Sequence, residues 1–120
     1  ECDFEHIEMS IDIVQNGASA VGDVYAQPQK TGVLEDAYLV KPIYEEISVQ
    51  ALFYLATVIE KCVKQYFSYD EKCTWDKVKE KDILLPVDLQ GEPDYDYMKN
   101  YMIEIEKRAE NTFLQFRKHI

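Results

Sequence analysis

The chain has 120 residues, 47% of them hydrophobic, which sets about one domain with enough apolar material for a packed core and excludes wholesale disorder. Charges interrupt every apolar run, so no stretch approaches the roughly 18 residues of a membrane span, and 3 Cys at long spacings do not make a disulfide framework. The 13 Lys and Arg stand against 23 Asp and Glu, and the resulting formal charge of −10 by itself argues against a nucleic-acid binder.

The chain opens on Glu1-Cys2-Asp3, with no initiator Met and no signal-peptide pattern. A processed chain or a fragment of a longer one is expected, and unpaired cysteines fit the reducing cytoplasm. Ile7, Met9, Ile11 and Ile13 alternate with Glu8, Ser10 and Asp12, a period of two that predicts a strand over residues 7–14 with one buried face. Small residues follow from Gln15 to Gly22, where Gly17 and Gly22 permit positive φ or the close approach of another backbone. A second short strand is expected over residues 23–27, a turn over 28–32, and a third strand over 34–41 that ends at Pro42. The first 42 residues therefore read as a small β-meander.

Beyond residue 47 the period changes. Leu52, Leu55, Ala56, Ile59, Cys62, Val63 and Tyr66 recur at three and four, predicting a helix over residues 47–66 with Ser48 as its N-cap. A loop over 67–73 precedes a short helix over 75–81 capped by Thr74, in which Trp75 and, before it, Tyr66 are expected in the core. Ile83-Leu84-Leu85-Pro86-Val87 reads as a short edge strand, and Gly91-Glu92-Pro93 as a turn. Asp94 then caps a helix of about 25 residues, nearly 40 Å long at 1.5 Å per residue. In it Met98, Met102, Ile105, Ala109, Thr112 and Phe116 step by four and three, a heptad seam widened by Tyr101, Phe113 and Ile120. Two readings stay open: the helix packs on its own β-layer, or its distal half pairs with another helix. The fold class is α+β, a small mixed or antiparallel sheet packed with helices and followed by a long coiled-coil-like helix.

Charge is unevenly spread. Residues 1–60 carry a net −9, 61–81 a net +2, 82–106 a net −6 and 107–120 a net +3. The basic stretch from Lys61 to Lys81 also holds Tyr66, Phe67, Tyr69 and Trp75, and basic residues interleaved with aromatics can grip phosphates and stack on bases. An ordinary solvated helix end and loop is the plainer reading. No cofactor or metal is expected: Cys62 and Cys73 are too far apart for a zinc knuckle, His6 and His119 lack ligand-spaced neighbours, and no P-loop, G-x-S-x-G or G-x-G-x-x-G occurs. Glu92, Asp94 and Asp96 suit a helix N-terminus better than a calcium loop. Asp70-Glu71-Lys72 matches the acid-x-Lys tail of some metal-dependent nuclease sites, a pattern of low specificity.

The order of segments carries more. The strand ending at Val14, the small-residue loop to Gly22, Val24-Tyr25-Ala26-Gln27-Pro28 and Asp36-Ala37-Tyr38-Leu39-Val40-Lys41-Pro42 come first. Phe67-Ser68-Tyr69, Thr74-Trp75-Asp76-Lys77-Val78, Ile83-Leu84-Leu85-Pro86-Val87-Asp88 and Gly91-Glu92-Pro93-Asp94-Tyr95-Asp96-Tyr97-Met98 follow. Together they resemble the C-terminal part of a target recognition domain from the specificity (S) subunit of type I restriction–modification systems, a domain also used by type IIG enzymes. The resemblance runs over nearly the whole chain and is most specific from Phe67 to Ile105.

It implies a non-catalytic reader of double-stranded DNA whose modification (methyltransferase) subunits methylate adenine and whose restriction subunit cleaves. It divides the chain into a partial recognition domain over 1–93, lacking an N-terminal portion, and a spacer or dimerisation helix over 94–120 that permits self-association. On positions matching the family's reader loops, Gln15, Asn16 and Ser19 are expected to contact base or sugar, although Asn16 and Ser19 also suit a turn-shaping role. Lys64, Lys72 and Lys77 are expected on phosphates, with Tyr69 near the backbone. The alternatives are an oligomerising protein-interaction module without DNA binding and a nuclease built on Asp70 and Lys72. The acidity implies that this chain by itself binds DNA weakly.

Overall fold

In the computed structural model, residues 8–15, 20–29, 32, 37–68 and 70–119 are described, with side chains from 112 onward left aside. Six elements follow in order: β1 (Ser10–Val14), β2 (Val24–Gln27), β3 (Ala37–Val40), α1 (Val49–Tyr66), α2 (Trp75–Val78) and α3 (Tyr95–His119).

The sheet departs from the meander. Its order is β2-β1-β3, with β1 central and antiparallel to both neighbours, so β2 and β3 run parallel to each other. The nine residues between β2 and β3 exceed the roughly two to five of the commonest hairpin loops, so the connection does not hold these strands side by side. The central position goes to the strand whose Ile11 and Ile13 are almost wholly buried. Register places Ala26 and Val40 beside Ile11, and Val24 and Tyr38 beside Ile13, all on one face. The alternation predicted from residue 7 starts only at Ser10, because Met9 takes a left-handed φ of 54° that interrupts the extended chain. Ile7 lies outside the described residues.

α1 begins where its cap predicts. Ser48 Oγ accepts from the Ala51 N–H at 3.1 Å, and Ala51, Leu52, Leu55, Ala56 and Val63 form its buried stripe. That stripe covers the β1–β2 half of the sheet. α3 packs on α1: Met98 is fully buried, and Tyr101 meets Tyr54 edge-on at 5.6 Å. Asp94 caps α3, accepting from the Tyr97 N–H at 2.9 Å. The helix thus packs first on another helix rather than on the β-layer, and from Glu104 to Asn111 its side chains are exposed. No described helix is long and apolar enough to cross a membrane.

Two predicted elements change. The helix from Trp75 is one turn, ending at Val78, after which Lys79 and Lys81 close successive turns. Residues 83–87 form no strand. Pro86 removes a donor, Leu84 is 93% exposed, and the stretch finds one bridge, Val87 to Pro93. That bridge belongs to a loop in which Asp88 Oδ1 accepts from the N–H groups of Gln90 and Glu92 and Gly91 supplies a φ of 82°.

Candidate nucleic-acid interface

Of the described residues predicted to face DNA, Gln15 stands at the end of β1, beside the loop that bears Lys72. The Val14 carbonyl accepts from the Gly22 N–H at 2.9 Å and from the Cys73 thiol at 3.1 Å. Burial pushes the Cys73 thiol up, which keeps it a protonated donor. The Cys73 carbonyl in turn accepts from the Tyr38 hydroxyl at 2.7 Å, and burial raises that phenol well above its ordinary range. The loop before α2 is therefore tied to both β1 and β3. Gln15, one residue past the knot, sits half-buried at the strand end, on the same edge as the 68–74 loop.

The lysines differ in their surroundings. Lys72 is exposed on that loop. Lys77 lies 3.5 Å from Glu71, with side-chain exposures of 45% and 58%, an ion pair that solvent screens and that exchanges at little cost. Lys64, in the last turn of α1 where the helix dipole favours a cation, is paired with Asp23. Hydrogen bonding to the Asp23 carboxylate raises the Lys64 pKa, holding the ammonium charged. Asn16, Ser19 and Tyr69 lie outside the described residues.

The aromatics expected in the core are half in solvent. Tyr66 is 51% exposed with the Lys81 ammonium 4.2 Å from its ring centre, and Trp75 is 49% exposed, edge-on to Tyr38 at 6.2 Å. Tyr66 shares the face of Val63 but is the last residue of α1, past the end of the buried stripe, and a one-turn helix too short to bury Trp75 leaves the indole at the rim. Both rings thus stand on the basic stretch as exposed stacking surfaces.

Beneath them, between β3, α1 and the 75–83 segment, is an open groove of about 660 Å³, floored by Ile11, Ile13, Leu55 and Val63 and rimmed by Lys41, Lys79 and Lys81. In the acid-x-Lys match only the middle residue is engaged, since Ser68 and Glu71 exchange backbone hydrogen bonds and the Glu71 carboxylate faces Lys77, while Asp70 and Lys72 are exposed. The described His, Cys, Asp and Glu side chains form no group of three that would hold a metal ion. On α3, Met98 of the predicted seam is spent on the intramolecular core and Met102 is half-buried, while Ile105 and Ala109 are exposed. The Thr112 and Phe116 side chains lie outside the described residues.

Sequence reasoning missed Asp23, Glu60, Cys73 and Tyr38 as organisers of this edge. Their partners lie 35 to 59 residues away in sequence for Tyr38, Glu60 and Cys73, so no local spacing marks them. Gly22, followed by an acid at the end of a small-residue run, was the one local signal.

No protein-family profile and no solved structure matches the chain. It is 35% identical over 58 residues to the specificity subunit S.BcgI of a type II restriction enzyme from Heyndrickxia coagulans. The match covers 48% of this chain and 16% of that subunit, so the chain spans a small part of the relative's length. Over that segment the chain is related to a restriction-enzyme specificity subunit.

Proposed function

We propose that this chain is part of a DNA sequence-recognition module of a type I or type IIG-like restriction–modification specificity protein. It is non-catalytic itself and directs partner methyltransferase and endonuclease subunits to a duplex site in the cytoplasm. The observation that carries the reading is the 35% identity over 58 residues with a specificity subunit. The geometry is in keeping with it: a strand end bearing Gln15 shares one edge with a loop bearing Lys72, and Lys77 follows on α2. An amide side chain at such a position can read a base edge, and the lysines can fix register on phosphates. Asn16, Ser19 and Tyr69 belong to the same proposed surface. Past Met102, the seam of Ile105, Ala109, Thr112 and Phe116 serves as a spacer that pairs with another helix.

The test is duplex binding by the intact specificity protein with its methyltransferase, measured against salt. Affinity should fall linearly in log–log form, and Lys72→Ala/Lys77→Ala should lower the slope by about 0.9 for each phosphate no longer neutralised. An unchanged slope rejects the lysine assignment, and failure of the intact assembly to bind duplex DNA rejects the reading. The isolated chain, at −10, should bind weakly or undetectably.

A further inference from the structure

We infer that Lys64 is a positioning residue that, with Glu60, clamps the turn after the β1–β2 connection onto α1 and so fixes the reading edge. This rests on the DNA-recognition reading for its consequence, although the clamp itself is a feature of the fold.

Glu60 and Lys64 are one helical turn apart and both reach toward the start of β2. Glu60 Oε2 accepts from the Val24 N–H at 3.2 Å, and the Lys64 ammonium meets the Asp23 carboxylate, which also accepts from the Tyr25 hydroxyl at 3.2 Å. The helix therefore grips two consecutive residues of the turn, one through backbone and one through side chain. The aliphatic stem of Lys64 takes part as well. Gly22, at φ 89°, lies so close that an added Cβ would stand 3.1 Å from Lys64 Cγ and 3.3 Å from Val63 Cγ1.

This grip is transmitted directly. The Gly22 N–H is bonded to the Val14 carbonyl and the Val14 N–H to the Asp23 carbonyl at 3.0 Å, so the gripped turn sets the path of the chain into Gln15. A Lys64 ammonium moved to a phosphate would have to leave Asp23 and release the turn. Lys64 and Lys77 are similarly exposed, at 42% and 45%; what differs is the partner, since Asp23 is 25% exposed and its carbonyl is bonded to β1, whereas Glu71 is 58% exposed.

A lysine on a phosphate and a lysine that positions a turn differ in what their removal does. Removing the first weakens binding to every sequence and reduces the salt slope. Removing the second lowers discrimination between sequences and leaves the slope alone.

The experiment uses the intact specificity protein assembled with its methyltransferase. The probes are a duplex selected from a random pool by the unmutated assembly and a scrambled duplex, titrated at several salt concentrations. Lys64→Met and Glu60→Gln should each lower the ratio of selected to scrambled affinity on the order of tenfold, the worth of about one side-chain contact to a base, with the slope unchanged. Lys64→Arg should restore most of the ratio, and Lys72→Ala should show the opposite pattern. Equal losses on both duplexes with a reduced slope for Lys64→Met overturn the proposal while leaving DNA recognition standing.

Hydrogen exchange on the chain gives an independent reading. The Gly22 and Val24 amides should lose protection in Lys64→Met while those of Leu52 and Leu55 keep theirs; unchanged protection at the turn overturns the clamp. If Lys64→Met does not fold, Asp23→Asn must reproduce the selective loss at the turn, and its failure to do so counts as refutation. If the unmutated assembly does not distinguish the two duplexes, the DNA reading fails and exchange alone decides the clamp.

Discussion

At the end of β1, the Val14 carbonyl is held by both Gly22 and Cys73, and the turn beyond it is gripped by α1. α3, by contrast, is fixed through its first turns and then runs on with exposed side chains from Glu104 to Asn111. The first region is built from contacts between distant segments, each short and directional. The second owes its place to one buried methionine, two aromatic contacts and a cap. Directional ties hold an edge in one geometry, which suits recognition. A helix anchored at one end keeps its outer face for another element.

The contrast predicts where the molecule breaks. Met98→Ala removes the fully buried anchor of α3 and should cost about 2–5 kcal/mol, read from the urea midpoint. Ile105→Ala, two turns further on and 41% exposed, should change stability far less, and a large loss there would deny that the distal half is free.

Gly22→Ala attacks the other region. Its φ of 89° disfavours a side chain, and the new Cβ would press on Lys64 and Val63. A loss of about 1–3 kcal/mol is expected, with hydrogen exchange showing opening of the turn before the helices. A neutral Gly22→Ala would show that the turn is not tightly held. Asp94→Ala should cost about 1 kcal/mol and fray the first turn of α3, visible as faster exchange at Tyr97.

The smallest effect is pH-dependent. Asp12, on the central strand, has one carboxylate oxygen buried with no hydrogen-bond partner among the described residues, and burial raises its pKa from 3.8. The folded state therefore disfavours ionised Asp12 relative to the unfolded chain. That penalty is absent below the unfolded pKa, grows as pH rises toward the folded value and is complete above it. Asp12→Asn should raise the thermal midpoint modestly at pH 7, with the gain shrinking as pH falls to about 4. An equal gain at both pH values would assign it to something other than charge.

Local signals are legible where a single residue performs a local task. Ser48 and Asp94 cap the helices that their positions announce, Leu52, Leu55, Ala56 and Val63 of the three-and-four spacing lie in the buried stripe of α1, and Gly22 has the expected positive φ, with the side chains of Lys64 and Val63 close against it. The departures share a cause. The alternation of Ile11 and Ile13 marks a half-buried strand but not its neighbours, so the first strand's central place is invisible along the chain. Apolar Ile83 to Val87 reads as a strand, yet a strand needs a partner, and these residues find one bridge. Trp75 and Tyr66 look like core by residue type, but the shortness of α2 and the place of Tyr66 at the very end of α1 leave them at the rim.

The sequence by itself determined the helix starts, the buried stripe of α1, the position where the chain turns back at Gly22 and the segregation of basic from acidic stretches, because each depends on residues within a few positions of one another. Only the tertiary structure decided the strand order, the knot joining Val14, Gly22 and Cys73, and the use of Met98 inside its own core. It also separated three similar lysines: Lys64 is held by a carboxylate 41 positions earlier in the chain, Lys77 by a solvent-screened pair, and Lys72 projects from its loop. Ion pairs and sheet neighbours are set by distance in space, which no spacing along the chain encodes.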